Sequence, residues 1–551
     1  IDLEWLFKVV FLYESKYLEL LNYTINESVA IYRKKAVLLS NLQGTDGEKI
    51  DKKTVNYSNA FDIIMKAAED YISYTEMVLT LKKAYPDVEK DTFHNYLHAL
   101  IKEGFLISDL RPPLTINDQF QYFIHMLKKH NIDTNELVTI YNKIEKYATE
   151  EYGKKTEELL GIYRLMETVQ KSKNYLTIDS TFDYQECNLN QKTIDKVNDL
   201  VNLFIRFNIN DPVDLLSEYK NKFIEKYGLS RCVPLIELID ADTGLGYPEH
   251  YNGIRRNNNW GEYVNPWVKF FEKKYIEAVR QNKPIEIVDT ELNNLEEGEV
   301  DVTQFPKSME IYFNYAMLEG KEVFYLSNIF GSTYAGKSFG RFSHLMENSR
   351  EFYENINSMY SNNENSQFCE FTFLPSDLYT ANVIRNTHGS TYETSFGTSN
   401  SKTQTYKLKV NEILVGINNN RFYLCSSVTG KIIYPTSTNM FNPQLKPKIL
   451  RLIDDIAADG IKFYNKPWQN LFEKFDYIPT IKYKNFILEQ EKWKIRLQDL
   501  KIGRHGNLKE FKVAIQKYIT ERNLPLWVNL VEGDKKILLN LSIDRCLDVL
   551  K

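Results

Sequence analysis

Trp5, Leu6, Val9, Val10 and Leu12 recur at three- and four-residue spacing, so the chain opens in a helix with one apolar face. Residues 29–42 (VAIYRKKAVLLSNL) are apolar and β-branched and predict two short strands, and a Gly/Asp turn at 44–47 leads to a third, Lys53 to Tyr57. Helical spacing returns at 59–70, 75–84 and 91–103. The last of these places Phe93, Tyr96, Leu97, Leu100 and Ile101 on one face and stops at Gly104. An extended run, FLISDL at 105–110, and Pro112–Pro113 close the unit. Three strands and three helices in this span make a winged-helix-like pattern over 29–112. From 113 to about 230 the pattern is helical, with a strand expected at Tyr175–Ile178. LIELID at 235–240 reads as an apolar strand ending in Asp. Beyond about 320 the chain turns β-rich, with strands expected at 321–330, 367–374, 406–417, 420–427 and 431–435. Residues 354–366 read as a loop or a fraying helix end.

Composition narrows the functional classes. The 551 residues are 43% hydrophobic and 26% charged, ordinary values for a globular protein, and 37 Tyr with 31 Phe promise an aromatic core. A net charge of −5 argues against a surface coated for bulk nucleic-acid binding. The charge is uneven, however. Residues 462–512 hold twelve Lys/Arg against six Asp/Glu, leaving −11 for the rest, and Trp468, Tyr477, Tyr483 and Trp493 are interleaved there. Such a surface can follow a nucleic-acid backbone, or it can simply be a lysine-rich exterior over an aromatic core. The acidic stretch 289–301 reads as solvated surface. Five separated cysteines without a CxxC pair, and eight scattered histidines without an HExxH pair, predict neither disulfide nor metal. Asp2 and Glu4 interrupt the first apolar run, which does not read as a secretory signal.

One motif competes for attention. Residues 331–338, GSTYAGKS, fit the phosphate-binding loop G-x-x-x-x-G-K-[ST], in which backbone N–H groups and Lys337 would hold phosphates. A nucleotide-binding fold needs further strand–helix units downstream, whereas the pattern here is strand after strand. A P-loop NTPase therefore stands as the remote alternative.

Eight segments in order resemble lantibiotic dehydratases of the nisin and epidermin type: IDLEWLFKVV (1–10), FLISDLRPPL (105–114), NYLTIDSTFDY (174–184), FIEKYG (223–228), DTGLGYP (242–248), GSTYAGKSFGRFS (331–343), LPSDLYTANVIRN (374–386) and DYIPTIKYKNFILEQEKWKI (476–495). The resemblance implies tRNA-dependent glutamylation of Ser and Thr side chains in a precursor peptide. Hydroxide is a poor leaving group, its conjugate acid having a pKa of about 15.7. Glutamylation replaces it with a carboxylate of pKa about 4, and elimination then gives dehydroalanine or dehydrobutyrine. Glutamyl-tRNA is the co-substrate, and no other cofactor is implied.

Carried over residue by residue, the resemblance implies catalytic roles for Asp2, Asp179 and Arg341. It implies tRNA contacts at Arg341, Arg385, Lys337, Lys492, Lys494 and Arg496. A leader peptide would add a strand beside Thr54, Val55, Asn56 and Tyr57 and pack against Phe93, Tyr96 and Leu97. Without the family, a lone Asp is more often a cap, a lone Arg a surface ion pair, and these aromatics as often core as groove. DNA binding is not expected, because Lys90 and Lys102 on the third helix face Glu89, Asp91 and Glu103. The family also implies a cytoplasmic protein, peripheral at the inner face of the membrane, with a homodimer, a lanthionine cyclase and an exporter as partners.

Two features of the family pattern are missing: the RxTPFG loop expected before Asp2 and the elimination domain expected after 551. The chain is accordingly expected to be a fragment. NVIRNTHGSTYE keeps Arg385 but has Ser390 near the place of a second arginine. The expected fold is α+β: a multi-segment, mixed helix/sheet glutamylation domain (1–28 and 113–551) with an embedded winged-helix-like peptide-recognition element (29–112). A leader-peptide- or tRNA-binding scaffold without catalysis, and a peptide–aminoacyl-tRNA ligase, are the alternatives.

Overall fold

Asp2 starts the fold by capping a helix, its side chain accepting from the backbone N–H of Glu4. The helix, α1 (Leu3–Tyr17), sends Leu3, Trp5, Leu6, Phe7, Val9 and Val10 into the core. Leu12, expected on that face, is 43% exposed, because the later turns pack through Tyr13 and Tyr17 instead. The indole N–H of Trp5 donates to the carbonyls of Met166 and Gln170, closing the end of the helix Thr156–Val169. This computed structural model describes residues 1–40, 53–149, 156–182, 188–207, 215–252, 266–293, 295, 301–327, 331–360, 365–386, 390–402, 406–462, 466–496, 498–500, 508–533 and 535–550.

The segment after α1 contains β1 (Asn22–Ile25), β2 (Val29–Tyr32), β3 (Lys35–Leu38), β4 (Lys53–Asn56), α2 (Asn59–Ala67), β5 (Ile72–Ser73), α3 (Tyr74–Ala84), α4 (Lys90–Lys102) and β6 (Leu106–Ser108). Arg33 and Lys34 both take positive φ, which gives the two-residue turn its hairpin twist between β2 and β3. β4 pairs antiparallel with β3 and forms the outer edge of that sheet. β6 belongs to a different sheet, ordered β5-β1-β6, whose central strand β1 was not expected from the sequence. Ser73 and Glu76 close a capping box at the start of α3.

Contacts divide the chain into two compact units. The first comprises Ile1–Gln185, Asp214–Asn257 and Tyr334–Ile461, and the second comprises Glu186–Val213, Asn258–Thr333 and Lys462–Lys551. The first unit contains a six-stranded sheet ordered Tyr392–Phe396, Ser366–Phe373, Ile432–Pro435, Arg421–Ser426, Ile413–Asn418, Val233–Pro234. The second contains a five-stranded sheet ordered Ile285–Ile287, Ile481–Tyr483, Phe486–Glu489, Lys321–Leu326, Phe313–Leu318. Its core is aromatic, with Phe204, Phe207, Trp267, Phe271 and Trp468 in contact.

Helices dominate 113–230 as expected, but four expectations change. Residues 175–178 are not a strand; in place of a neighbouring strand they meet Asp2, whose N–H donates to the Tyr175 carbonyl and whose side chain accepts from the Thr177 hydroxyl. The apolar run at 235–240 is the short helix Leu235–Leu238, since so brief a run carries no period that separates helix from strand. The strand expected at 406–417 begins only at Ile413. Residues 349–360 are a regular helix with Tyr353, Ile356 and Asn357 buried. Residues 328–330 and 361–364 lie outside the described residues.

Candidate functional site

Segments far apart in sequence meet around Asp179. The short helix Ala381–Ile384 packs against the start of α1, where the side-chain oxygen of Asn382 accepts from the Leu3 N–H at 3.0 Å. Arg385, the next residue, forms a partly buried ion pair and hydrogen bond with Asp179. His344 reaches the same carboxylate from the 3-10 helix Gly340–Leu345, with Nε2 3.7 Å from Oδ2. Arg341 lies one turn before His344 on that helix, its guanidinium over the Phe342 ring at 4.3 Å. Ser343 and Asn386 join the two segments from beneath, the Ser343 hydroxyl donating to Asn386 at 3.2 Å.

The electrostatics favour an anion. Burial lowers the Arg385 pKa; Asp179 opposes that shift, and the charge of Arg341 adds to it. The two guanidinium charges repel, and a shared negative partner would relieve that repulsion. Nε of Arg385 is buried and has no hydrogen-bond partner among the described residues, so a donor is left to offer. His344 is pushed below its ordinary pKa by burial and by Arg385, which keeps its imidazole neutral near pH 7.

Asp2 is 1% exposed, and both its oxygens are engaged, one as the cap of α1 and one by Thr177 at 2.9 Å. That is the geometry of a residue holding α1 and residues 174–179 together. Lys337 is near enough to Asp454 to help Lys446 hold that carboxyl below the usual range against the cost of burial. Residues 331–338 do not form a phosphate-binding loop. Gly336, at φ +96°, lies against Tyr353, where an added Cβ would come within 2.6 Å of the ring, and the Tyr353 hydroxyl donates to its carbonyl at 2.8 Å. The loop continues through a turn into the 3-10 helix, so no α-helix N-terminus waits for phosphates.

Residues 1–550 match the family described as lantibiotic dehydratase, N terminus. The chain belongs to the lantibiotic dehydratase family. It is similar to the subtilin biosynthesis protein SpaB of Bacillus subtilis, 31% identical over 100% of the chain and 54% of that protein. It is similar also to the nisin biosynthesis protein NisB of Lactococcus lactis, 27% identical over 98% of the chain and 54% of that protein. The chain thus spans about half the length of the curated relatives it matches. Among solved structures it resembles the tRNA dependent lantibiotic dehydratase MibB from Microbispora, with a TM-score of 0.84, 20% identity and coverage of 100% of this chain and 55% of that one. The glutamylation domain of TbtB from thiomuracin biosynthesis superposes with a TM-score of 0.64 at 16% identity, over 100% of this chain and 67% of that one. These likenesses establish the mixed α+β fold.

The remaining residues implied by the family resemblance fall elsewhere. Lys492, Lys494 and Arg496 belong to the second unit and have local partners: Glu489, the Phe472 carbonyl and Asp476 respectively. Thr54, Val55 and Asn56 lie on β4 with Tyr57 directly after it. Phe93 and Leu97 are buried core residues, and of the expected groove only Tyr96 is half-exposed. Sequence reasoning missed His344, because a single histidine without a spaced partner gives no signal. Its one-turn separation from Arg341 was the available clue. It also missed that Arg385 and Asp179 are partners, since 206 residues separate them.

Proposed function

We propose that this chain transfers glutamate from glutamyl-tRNA to Ser and Thr hydroxyls of a lantibiotic precursor peptide. What carries the reading is the partly buried group of Asp179, Arg385, Arg341 and His344, in a chain that belongs to the lantibiotic dehydratase family. The peptide hydroxyl oxygen attacks the ester carbonyl carbon of glutamyl-tRNA. The bond to the ribose oxygen breaks, and the hydroxyl proton ends on that oxygen. Neutral His344 accepts the proton and passes it on. Arg341 and the free Nε–H of Arg385 face the developing oxyanion or a phosphate of the acceptor end, because a guanidinium is a fixed, permanently charged fork. Asp179 sets the orientation of Arg385, while Asp2 is a positioning residue that ties α1 to the Asp179 segment. The leader peptide binds as an added strand along the open edge of β4, in a winged-helix-like element spanning 29–112.

The test is mass spectrometry of a cognate precursor peptide incubated with the chain and glutamyl-tRNA. Base-labile glutamyl adducts on Ser or Thr support the reading, and their absence alongside saturable leader binding favours a scaffold. Because His344 is held below the ordinary imidazole value of about 6.5, adduct formation is expected to fall with decreasing pH only below that value. In His344→Gln the acid limb should disappear along with most of the rate.

A further inference from the structure

The histidines of α4 are not scattered in space. His94 and His98 stand one turn apart on α4, and Glu19, from the 3-10 helix Leu18–Leu20 after α1, reaches between them. Its Oε1 lies 3.4 Å from Nδ1 of His94 and 3.6 Å from Nε2 of His98. All three donor atoms fall within 4.8 Å of one another. Bonds of about 2.0–2.1 Å to a tetrahedral zinc ion separate its ligand atoms by roughly 3.3 Å. The two separations sit near that edge length, slightly long for a direct charged hydrogen bond.

We infer that Glu19, His94 and His98 form a binding site for one divalent first-row transition cation of the zinc class. The donor set, two imidazole nitrogens and a carboxylate oxygen, suits such ions better than calcium or magnesium, which favour all-oxygen shells. A second observation points the same way. Nε2 of His98 is buried and hydrogen-bonded to nothing among the described residues, an unsatisfied atom that an ion would satisfy. The Tyr74 hydroxyl, hydrogen-bonded to Nδ1 of His94 at 2.8 Å, gives up that bond when the ion binds; its ring lies beside both imidazoles, and water completes the shell. Glu19 is largely exposed, which gives the ion a route in from solvent. The cation clamps α4 to the turn that follows α1, so its binding energy stabilises that packing. The site is distinct from the Asp179 group and does not depend on the function assigned to it.

Cobalt(II) is the direct probe, because a tetrahedral cobalt ion absorbs visible light far more strongly than the hydrated ion. Titration of the full chain should give one equivalent of the coloured species, bleached by zinc, together with a zinc-dependent rise in melting temperature. His98→Ala and Glu19→Gln should each weaken cobalt binding at least about tenfold and abolish the zinc-dependent stabilisation. His98→Gln, with circular dichroism to confirm folding, separates loss of a ligand from loss of structure. Failure to bind cobalt at micromolar concentration, or equal binding in wild type and the folded His98→Gln variant, would overturn the assignment.

Discussion

The Asp179 group and the segment from β1 to β6 are built in opposite ways. The first gathers residues as much as 206 positions apart and brings opposed charges together in a partly buried setting. The second is assembled from consecutive elements and presents an unpaired strand edge, β4, among the described residues. Burial fixes side-chain geometry and sharpens electrostatics, which suits chemistry; an open edge offers backbone donors to a sequence not yet present, which suits capture. Chemistry and recognition should therefore be separable by mutation.

The largest effect is expected at Arg385. Arg385→Ala should lower glutamylation by about a thousandfold at saturating peptide while leader affinity stays unchanged, measured by adduct mass spectrometry and fluorescence anisotropy. Arg385→Lys should recover little, since an ammonium cannot keep the Asp179 contact and still offer a second fixed donor. Equal loss of both readouts would break the separation.

Next comes the contact between the β1–β6 segment and the six-stranded sheet. Glu27, following β1, accepts from the Ser395 N–H at 2.6 Å and from Asn400, on the strand Tyr392–Phe396 and the turn after it. Burial raises its pKa to about 7 from 4.5, although Lys407 opposes this. A carboxyl with a raised folded pKa adds stability in full below its unfolded value and loses it as pH climbs through the folded one. Glu27→Gln should therefore gain stability over wild type between pH 5 and pH 8, by up to about 3 kcal/mol in denaturant titrations. A pH-independent difference would show that Glu27 ionises normally.

The strand edge gives a smaller effect. Because the Tyr57 N–H bonds to the Lys34 carbonyl, alternation directs Val55 toward β3 and leaves the N–H groups of Thr54 and Asn56 facing outward. Thr54→Pro should weaken leader binding about tenfold with the fold intact, whereas Val55→Pro should also lower the melting temperature. Unchanged affinity in Thr54→Pro would place the peptide elsewhere. Smallest is the cationic surface: replacing Lys492, Lys494 and Arg496 by Ala should reduce the salt dependence of tRNA binding by up to about one unit of slope per lost phosphate contact. An unchanged slope would assign them to their ion pairs with Glu489 and Asp476 alone.

Much of the β2–α4 segment was legible because its signals are local. The strands at 29–38, the helices begun by Ser58 and Ser73, and the stop at Gly104 each depend on neighbours within a few residues. The Tyr175–Ile178 expectation failed for the complementary reason: a segment becomes a strand only where another strand lies beside it, and here Asp2 takes that place. Phe93 and Leu97 show the same limit, since an apolar helix face does not say whether core or ligand covers it.

The sequence by itself determined the helix at the start, most of the helices and strands between β2 and α4 and, through eight ordered segments, membership of the lantibiotic dehydratase family. Only the tertiary structure decided that Asp179 pairs with Arg385, that His344 joins them, that Asp2 is a cap, and that Glu19 stands between His94 and His98. Local backbone preference acts over a few residues and is written in the sequence, whereas a charge meets its partner by burial and chain closure over hundreds of residues, which no local pattern encodes.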